Sequence, residues 1–285
     1  MIKSRHKRII FIAATLWLAC TPCALAQGFH DVAMRLKLIN IGNQFNPMVV
    51  SGLGLLILML SVMTHEFMHG WMAFKRGDPT AQMAGRLSFN PLVHIDPFGS
   101  ILLPAILIMT HSSILIGWAK PVPINPMYFR NPRKDNALVS LAGPLSNIIL
   151  GLAFAFLLFL SGLFLKENNF VTLNFGSLSN YAIVAGPANS LLWTYVVNVL
   201  QYAVVINFIL AGLNLLPIPP LDGSHILAAL LPLQWAKKLY GVASKFGFLI
   251  IAFLAFSGLL SYLLAPALMI VVVTFAVIAR YLGLG

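Results

Sequence analysis

Apolar runs long enough to cross a lipid bilayer recur along this 285-residue chain, and they decide what it can fold into. A spanning helix takes about 20 residues, and residues 49–74, 137–165, 191–216 and 246–264 each supply roughly that length. A hydrophobic share of 59% with only 9% charged residues, against about 25% charged in soluble domains, excludes a soluble globular protein. The chain reads as an all-α polytopic membrane protein in a lipid bilayer.

Lys and Arg number 18 against 7 Asp and Glu, a formal charge of +11. That excess does not point to nucleic acid. The basic residues sit in short loops between apolar runs, the placement expected of cytoplasmic loops. The first 26 residues read as a secretory signal peptide, with Lys3, Arg5, Lys7 and Arg8 before an apolar stretch and Ala24-Leu25-Ala26 as a small-residue cleavage site. An uncleaved anchor is the alternative, and both put residues 27–48 outside the cytoplasm as a lead-in. Cys20 and Cys23 lie in the leader, so no disulfide framework follows.

Residues 98–118 are apolar, but Pro104 and Thr110-His111-Ser112-Ser113 divide them into arms too short to cross. A re-entrant segment fits best, because a single crossing would put Lys120, Arg130, Arg133 and Lys134 outside. A plain span is the other reading. Pro266 separates the fourth span from a short apolar tail ending near Arg280.

The chemistry lies in the first span, which contains His65-Glu66-Phe67-Met68-His69. On a helix, residues four apart share a face, so both imidazoles can hold one zinc ion. Glu66 can then act as general base towards water. Helical rise puts His65 about 15 Å inside the Lys75 boundary, where ionisable groups are expensive and mark function. The bland alternative, polar residues snorkelling at a helix end, does not suit that depth.

Catalytic zinc keeps three protein ligands and an open position. Asp222 is the candidate third ligand: it follows Pro217, Pro219 and Pro220, which cannot continue a helix, and broken helix at membrane depth is tolerated where it lines a cavity. His225, His94 and His111 are rivals, and an Asp-Gly turn is the structural alternative for Asp222.

These stretches resemble the site-2 protease family of intramembrane zinc metalloproteases, in its compact bacterial branch without a PDZ domain. The resemblance rests on H-E-F-M-H, on A-G-P-L-S-N at residues 142–147 and on N-L-L-P-I-P-P-L-D-G at residues 214–223, with similar stretches at 90–104 and 117–126. It implies a three-helix catalytic core within residues 49–230, beside the re-entrant segment and the additional C-terminal spans in 231–285 that the apolar runs indicate. It implies that His65, His69 and Asp222 bind one zinc per chain and that Glu66 is base and proton shuttle. It implies that Asn147 helps hold substrate or the transition state; the residue alone offers equally a helix-to-helix amide hydrogen bond. His94 and Asp96 are candidate loop anchors or supports of the site. The implied activity is zinc-dependent hydrolysis of peptide bonds in transmembrane protein substrates, in a bacterial inner membrane with the site towards the cytoplasm.

The re-entrant arms and a strand-like segment at 120–126 are expected to bind unwound substrate by edge pairing. The competing reading is a transporter or metal-dependent scaffold on the same core, in which intramembrane His and Asp form an ion path. A zinc protease acting on soluble chains at the surface is a further rival. Substrate identity and oligomeric state are not encoded in any recognisable motif.

Overall fold

The computed structural model describes residues 47–102, 105–106, 109, 119–167, 171–174, 182–185 and 191–282. The expected leader (1–26), nearly all of the lead-in, and His111 with most of the expected re-entrant segment lie outside the described residues. Among the described residues six longer helices carry the fold: α1 (Pro47–Lys75), α2 (Pro132–Glu167), α3 (Leu191–Asn214), α4 (Asp222–Leu230), α5 (Leu233–Phe256) and α6 (Ala265–Tyr281). A two-stranded antiparallel ribbon between α2 and α3 pairs β1 (Val171–Asn174) with β2 (Ala182–Ala185), Val171 opposite Ala185. Among the described residues the remaining regular structure is helical, as expected of an all-α polytopic membrane protein.

Among the described residues, three helices are long and apolar enough to cross a membrane, over Gly52–Lys75, Pro132–Leu165 and Tyr195–Asn214. Their surfaces carry the inverse of a soluble pattern. Along α2, Leu145, Ile149, Leu152, Phe156, Leu160 and Leu163 are exposed, spaced three or four apart and so on one face. Asn147, Ser61 and Asn207 are buried between helices. Apolar side chains outside and amides inside suit a hydrocarbon solvent, in which polar groups act as interhelical glue.

Helix α2 begins at Pro132 rather than at the first residue of the apolar run. Local chemistry sets that start: Asn131 N–H donates to Asp135 Oδ2 at 2.9 Å, and Arg76 Nε donates to Asp135 Oδ1 at 2.7 Å. Asp135 is buried, so this pair joins the end of α1 to the start of α2.

The expected fourth span differs in its limits. Helix α5 starts at Leu233 and stops at Phe256, because Gly258 takes a left-handed conformation, φ 77°, which ends helices and suits glycine. Its two halves, Leu233–Gly241 and Phe246–Ala255, are bent by 73° and together could make one broken crossing. The apolar tail is the 17-residue helix α6. It lies against α2 and α3 in a core that includes Leu158, Leu165, Val197, Val204, Val271 and Ile278. Small residues permit the approach: a Cβ on Gly212 would stand 2.5 Å from Ala267 Cβ, and one on Gly162 2.5 Å from Leu282 Cδ1.

Candidate metal centre

His65 and His69 project from one side of α1 towards α2, with ring centroids 4.5 Å apart. Asp222, the first residue of α4, meets them from the far end of the chain. Its Oδ2 lies 3.1 Å from His65 Nε2 and 3.2 Å from His69 Nε2, and the two Nε2 atoms are 2.9 Å apart. Since Asp222 reaches both rings of a spanning helix, the proline-broken segment stands at their depth.

The segment after α3 is held to that position by its backbone. Gly223 lies so close to the end of α3 that a Cβ there would stand 2.2 Å from the Leu215 carbonyl oxygen. At the other end of α4, Arg133 Nη2 donates to the carbonyls of Ala228 (2.8 Å), Ala229 and Leu231, filling orphaned helix-end acceptors. The carboxylate of Asp222, in the first turn, is also favoured by the positive end of the helix.

The donor set fits a metal cation. His65 Nδ1 faces Asn147 Oδ1 at 2.6 Å, and His69 Nδ1 faces the Val139 carbonyl at 2.7 Å. Each partner is an acceptor, so each Nδ1 carries the proton and each Nε2 presents a bare lone pair. The orientation of the Asn147 amide follows from its Nδ2, which donates to the Ser61 carbonyl (3.2 Å) and to Asn207 Oδ1 (2.9 Å). Two imidazole lone pairs and a carboxylate oxygen therefore converge on one point. A cation stabilises that arrangement, and the mix of two His nitrogens with one carboxylate oxygen is a zinc donor set.

Two features of the site were given no role by the sequence, although Gly143 lies in the A-G-P-L-S-N stretch. Gly143 leaves the space in front of the rings: a Cβ there would stand 2.5 Å from His69 Nε2 and 2.6 Å from His65 Nε2. Asn207 of α3 completes the support, its Nδ2 donating to Ser61 Oγ (3.0 Å) and the Ala203 carbonyl (2.8 Å). Asn147 and Asn207 are both fully buried. An amide in an apolar run can be read as polar glue, but the run does not say which helix it meets.

Glu66 is half-buried on α1, and its Oε2 accepts the Val122 N–H at 3.0 Å. The remaining candidates stand elsewhere. His225 Nδ1 accepts from Tyr240 hydroxyl (2.7 Å) and Asn136 Nδ2 (3.1 Å), outside the cluster. His94 Nε2 donates to the Ser88 carbonyl at 2.8 Å, and Asp96 Oδ1 accepts from Phe98 and Gly99 N–H, so both anchor loops.

The expected edge strand has its own hydrogen-bond partners within the chain. Lys120 N–H donates to the His94 carbonyl, Val122 N–H to Glu66 and Asn125 N–H to Asp78 Oδ2. Pro121, Pro123 and Pro126 have no N–H to give. Most donors of residues 120–126 are thus engaged within the chain rather than held ready for a substrate strand.

A model of peptidase family M50 matches residues 53–258. The Bacillus subtilis (strain 168) protein named "Putative zinc metalloprotease YwhC" is 36% identical over 214 residues, 74% of this chain and 83% of that one. Two proteins named "Putative zinc metalloprotease Rip2" are also similar. That of Mycolicibacterium smegmatis is 29% identical, over 73% of this chain and 69% of its own length. That of Mycobacterium tuberculosis (strain H37Rv) is 28% identical, over 75% and 72%. No solved structure matches the chain.

Proposed function

The chain belongs to peptidase family M50, and from that membership we propose that it is a zinc-dependent endopeptidase that cuts transmembrane segments of other membrane proteins. The relatives' names, zinc metalloproteases, agree with the reading. The observation that carries it is the convergence of His65 Nε2, His69 Nε2 and Asp222 Oδ2, within 3.2 Å of one another, on helices suited to a bilayer. We assign zinc to these three atoms and the catalytic carboxylate to Glu66.

Bound there, zinc supplies a Lewis acid that acidifies water and polarises a scissile carbonyl. Glu66, next to His65 on α1, takes the proton of the attacking water and passes it to the departing amide nitrogen. Asn147 and Val139 keep the protons of His65 and His69 on Nδ1, so that both Nε2 lone pairs stay directed at the site. A substrate helix has its carbonyls engaged in its own i to i+4 bonds, so the cleaved stretch must unwind locally. A helix containing a breaker at mid-length is therefore the preferred substrate class. We place the protein in a bacterial cell membrane with the site nearer the cytoplasmic face, because Lys75, Arg76, Lys237 and Lys238 lie on that side of the spans.

The test is hydrolysis, by full-length protein in detergent, of a fluorescence-quenched peptide comprising one apolar helix of about 20 residues with a central Asn-Pro. Cleavage that needs zinc and disappears in Glu66→Gln, with zinc retained, is the expected result. Zinc-loaded wild type that cleaves no such helix, or Glu66→Gln that cleaves at the wild-type rate, would overturn the proposal.

A further inference from the structure

Between the expected re-entrant segment and α2, residues 119–125 form an extended stretch with no helix or strand pairing. It is stiff by composition. Pro121 and Pro123 have fixed φ, and Val122, preceding a proline, is confined to extended backbone. Its two ends are tied down: Lys120 N–H donates to the His94 carbonyl at 2.8 Å, and Asn125 N–H to Asp78 Oδ2 at 2.7 Å. Val122 is buried against α1 at Gly70, where an added Cβ would come within 2.9 Å of Val122 Cγ1. Gly70 lies four residues after Glu66 and shares its face of the helix. The Val122 N–H, flanked by two residues that have none, thus meets the Glu66 carboxylate.

Arg86 holds the start of this stretch. Its Nη2 donates to the Lys120 carbonyl at 2.9 Å and to the Pro121 carbonyl at 3.0 Å. Arg86 is 7% exposed, and among the described residues no carboxylate lies within ion-pair distance of it. Burying a guanidinium is expensive without partners, and here the partners are the two carbonyls immediately before the Val122 amide.

We propose that Arg86 is a positioning residue for peptide hydrolysis: by gripping the Lys120 and Pro121 carbonyls it aims the Val122 N–H at Glu66 Oε2 and leaves Oε1 as the proton-accepting oxygen. The inference rests on the reading of Glu66 as the base. A glutamate on a helix surface has three rotatable side-chain bonds, and a charge-assisted bond to a fixed amide selects one orientation. Misplacing a reacting group by about 1 Å can lower a rate about 100-fold.

Arg86→Ala and Val122→Pro test this, with Arg86→Lys as a milder variant that keeps the charge. The expected result is a fall in kcat of about 100-fold in Arg86→Ala and Val122→Pro, with KM within about twofold and zinc content unchanged. Arg86→Lys should be intermediate. The combined variant should be no slower than Val122→Pro alone, because both changes remove one contact. Independent losses that multiply, a kcat equal to wild type, or a rise in kcat would each overturn the proposal.

Amide hydrogen exchange reads the contact itself. The Val122 amide should exchange about tenfold faster or more in Arg86→Ala and in Glu66→Ala. Unchanged exchange at Val122 in Arg86→Ala would contradict the proposal whether or not any helix is cleaved. Failure of proteolysis by the wild type, with the exchange result as expected, would instead count against the proposed activity alone.

Discussion

The Nδ1–H of His65 points at the Oδ1 of Asn147, 2.6 Å away and 82 positions along the chain. Through this bond a residue of α2 decides which nitrogen of an α1 histidine faces the candidate metal. Asn147 is itself fixed by Ser61 and Asn207, so three helices share in orienting one ring.

Replacing Asn147 by Ala removes the acceptor for the His65 proton. Loss of such a partner typically lowers metal affinity by about 10- to 100-fold. Zinc affinity of Asn147→Ala, measured by chelator competition, should fall by that order, with activity restored in part by excess zinc. Unchanged affinity with reduced kcat would instead indicate that Asn147 acts on substrate.

Gly143→Ala should close the space in front of the rings. Its Cβ would stand 2.5 Å from His69 Nε2 and 2.6 Å from His65 Nε2. Gly143 also precedes Pro144 within α2, where a methyl meets the proline ring, so alanine's usual helix preference of about 1 kcal/mol is not gained. Zinc content should drop to background, and the zinc-free variant should unfold at a somewhat lower temperature than zinc-free wild type. Full zinc occupancy in Gly143→Ala would show that the rings open elsewhere.

The spans and the first two candidate ligands were legible because each is a local pattern: apolar runs of bilayer length, and a four-residue spacing that helix geometry turns into one face. Asp222 was legible at one remove, as an acid behind three prolines in a chain with few acids. Gly143, Asn207 and Arg86 were not, since their roles are distances between segments that no spacing encodes. Glycine in a helix signals close approach without saying to what. The partners of residues 120–126 were hidden for the same reason. The extended character of that stretch was readable from the prolines, but its N–H groups are bonded to His94, Glu66 and Asp78, each from a different part of the chain. The limits of α5 and the helicity of the tail were set by Gly258 and by packing on α3, which outweighed the apolar run lengths.

Gly223→Ala probes how closely α4 must approach α3. The added methyl would stand 2.2 Å from the Leu215 carbonyl oxygen and 2.5 Å from that of Leu216, and backbone cannot yield as a flexible side chain can. The start of α4 should shift and carry Asp222 off the histidines. Zinc affinity should therefore fall about 10-fold or more, the range seen when a metal site loses its support, although no ligand is altered. Retained affinity, again by chelator competition, would show that the turn relaxes without moving Asp222.

Zinc-edge X-ray absorption on the purified full-length protein addresses the centre itself. Wild type should show two imidazole nitrogens at about 2.0–2.1 Å and carboxylate or water oxygen at about 2.0–2.2 Å. Asp222→Ala should lose an oxygen scatterer or lose the metal, and the double change of His65 and His69 to Ala should leave no bound zinc. Zinc bound without imidazole, or an identical spectrum after removal of Asp222, would contradict a site built from these three residues.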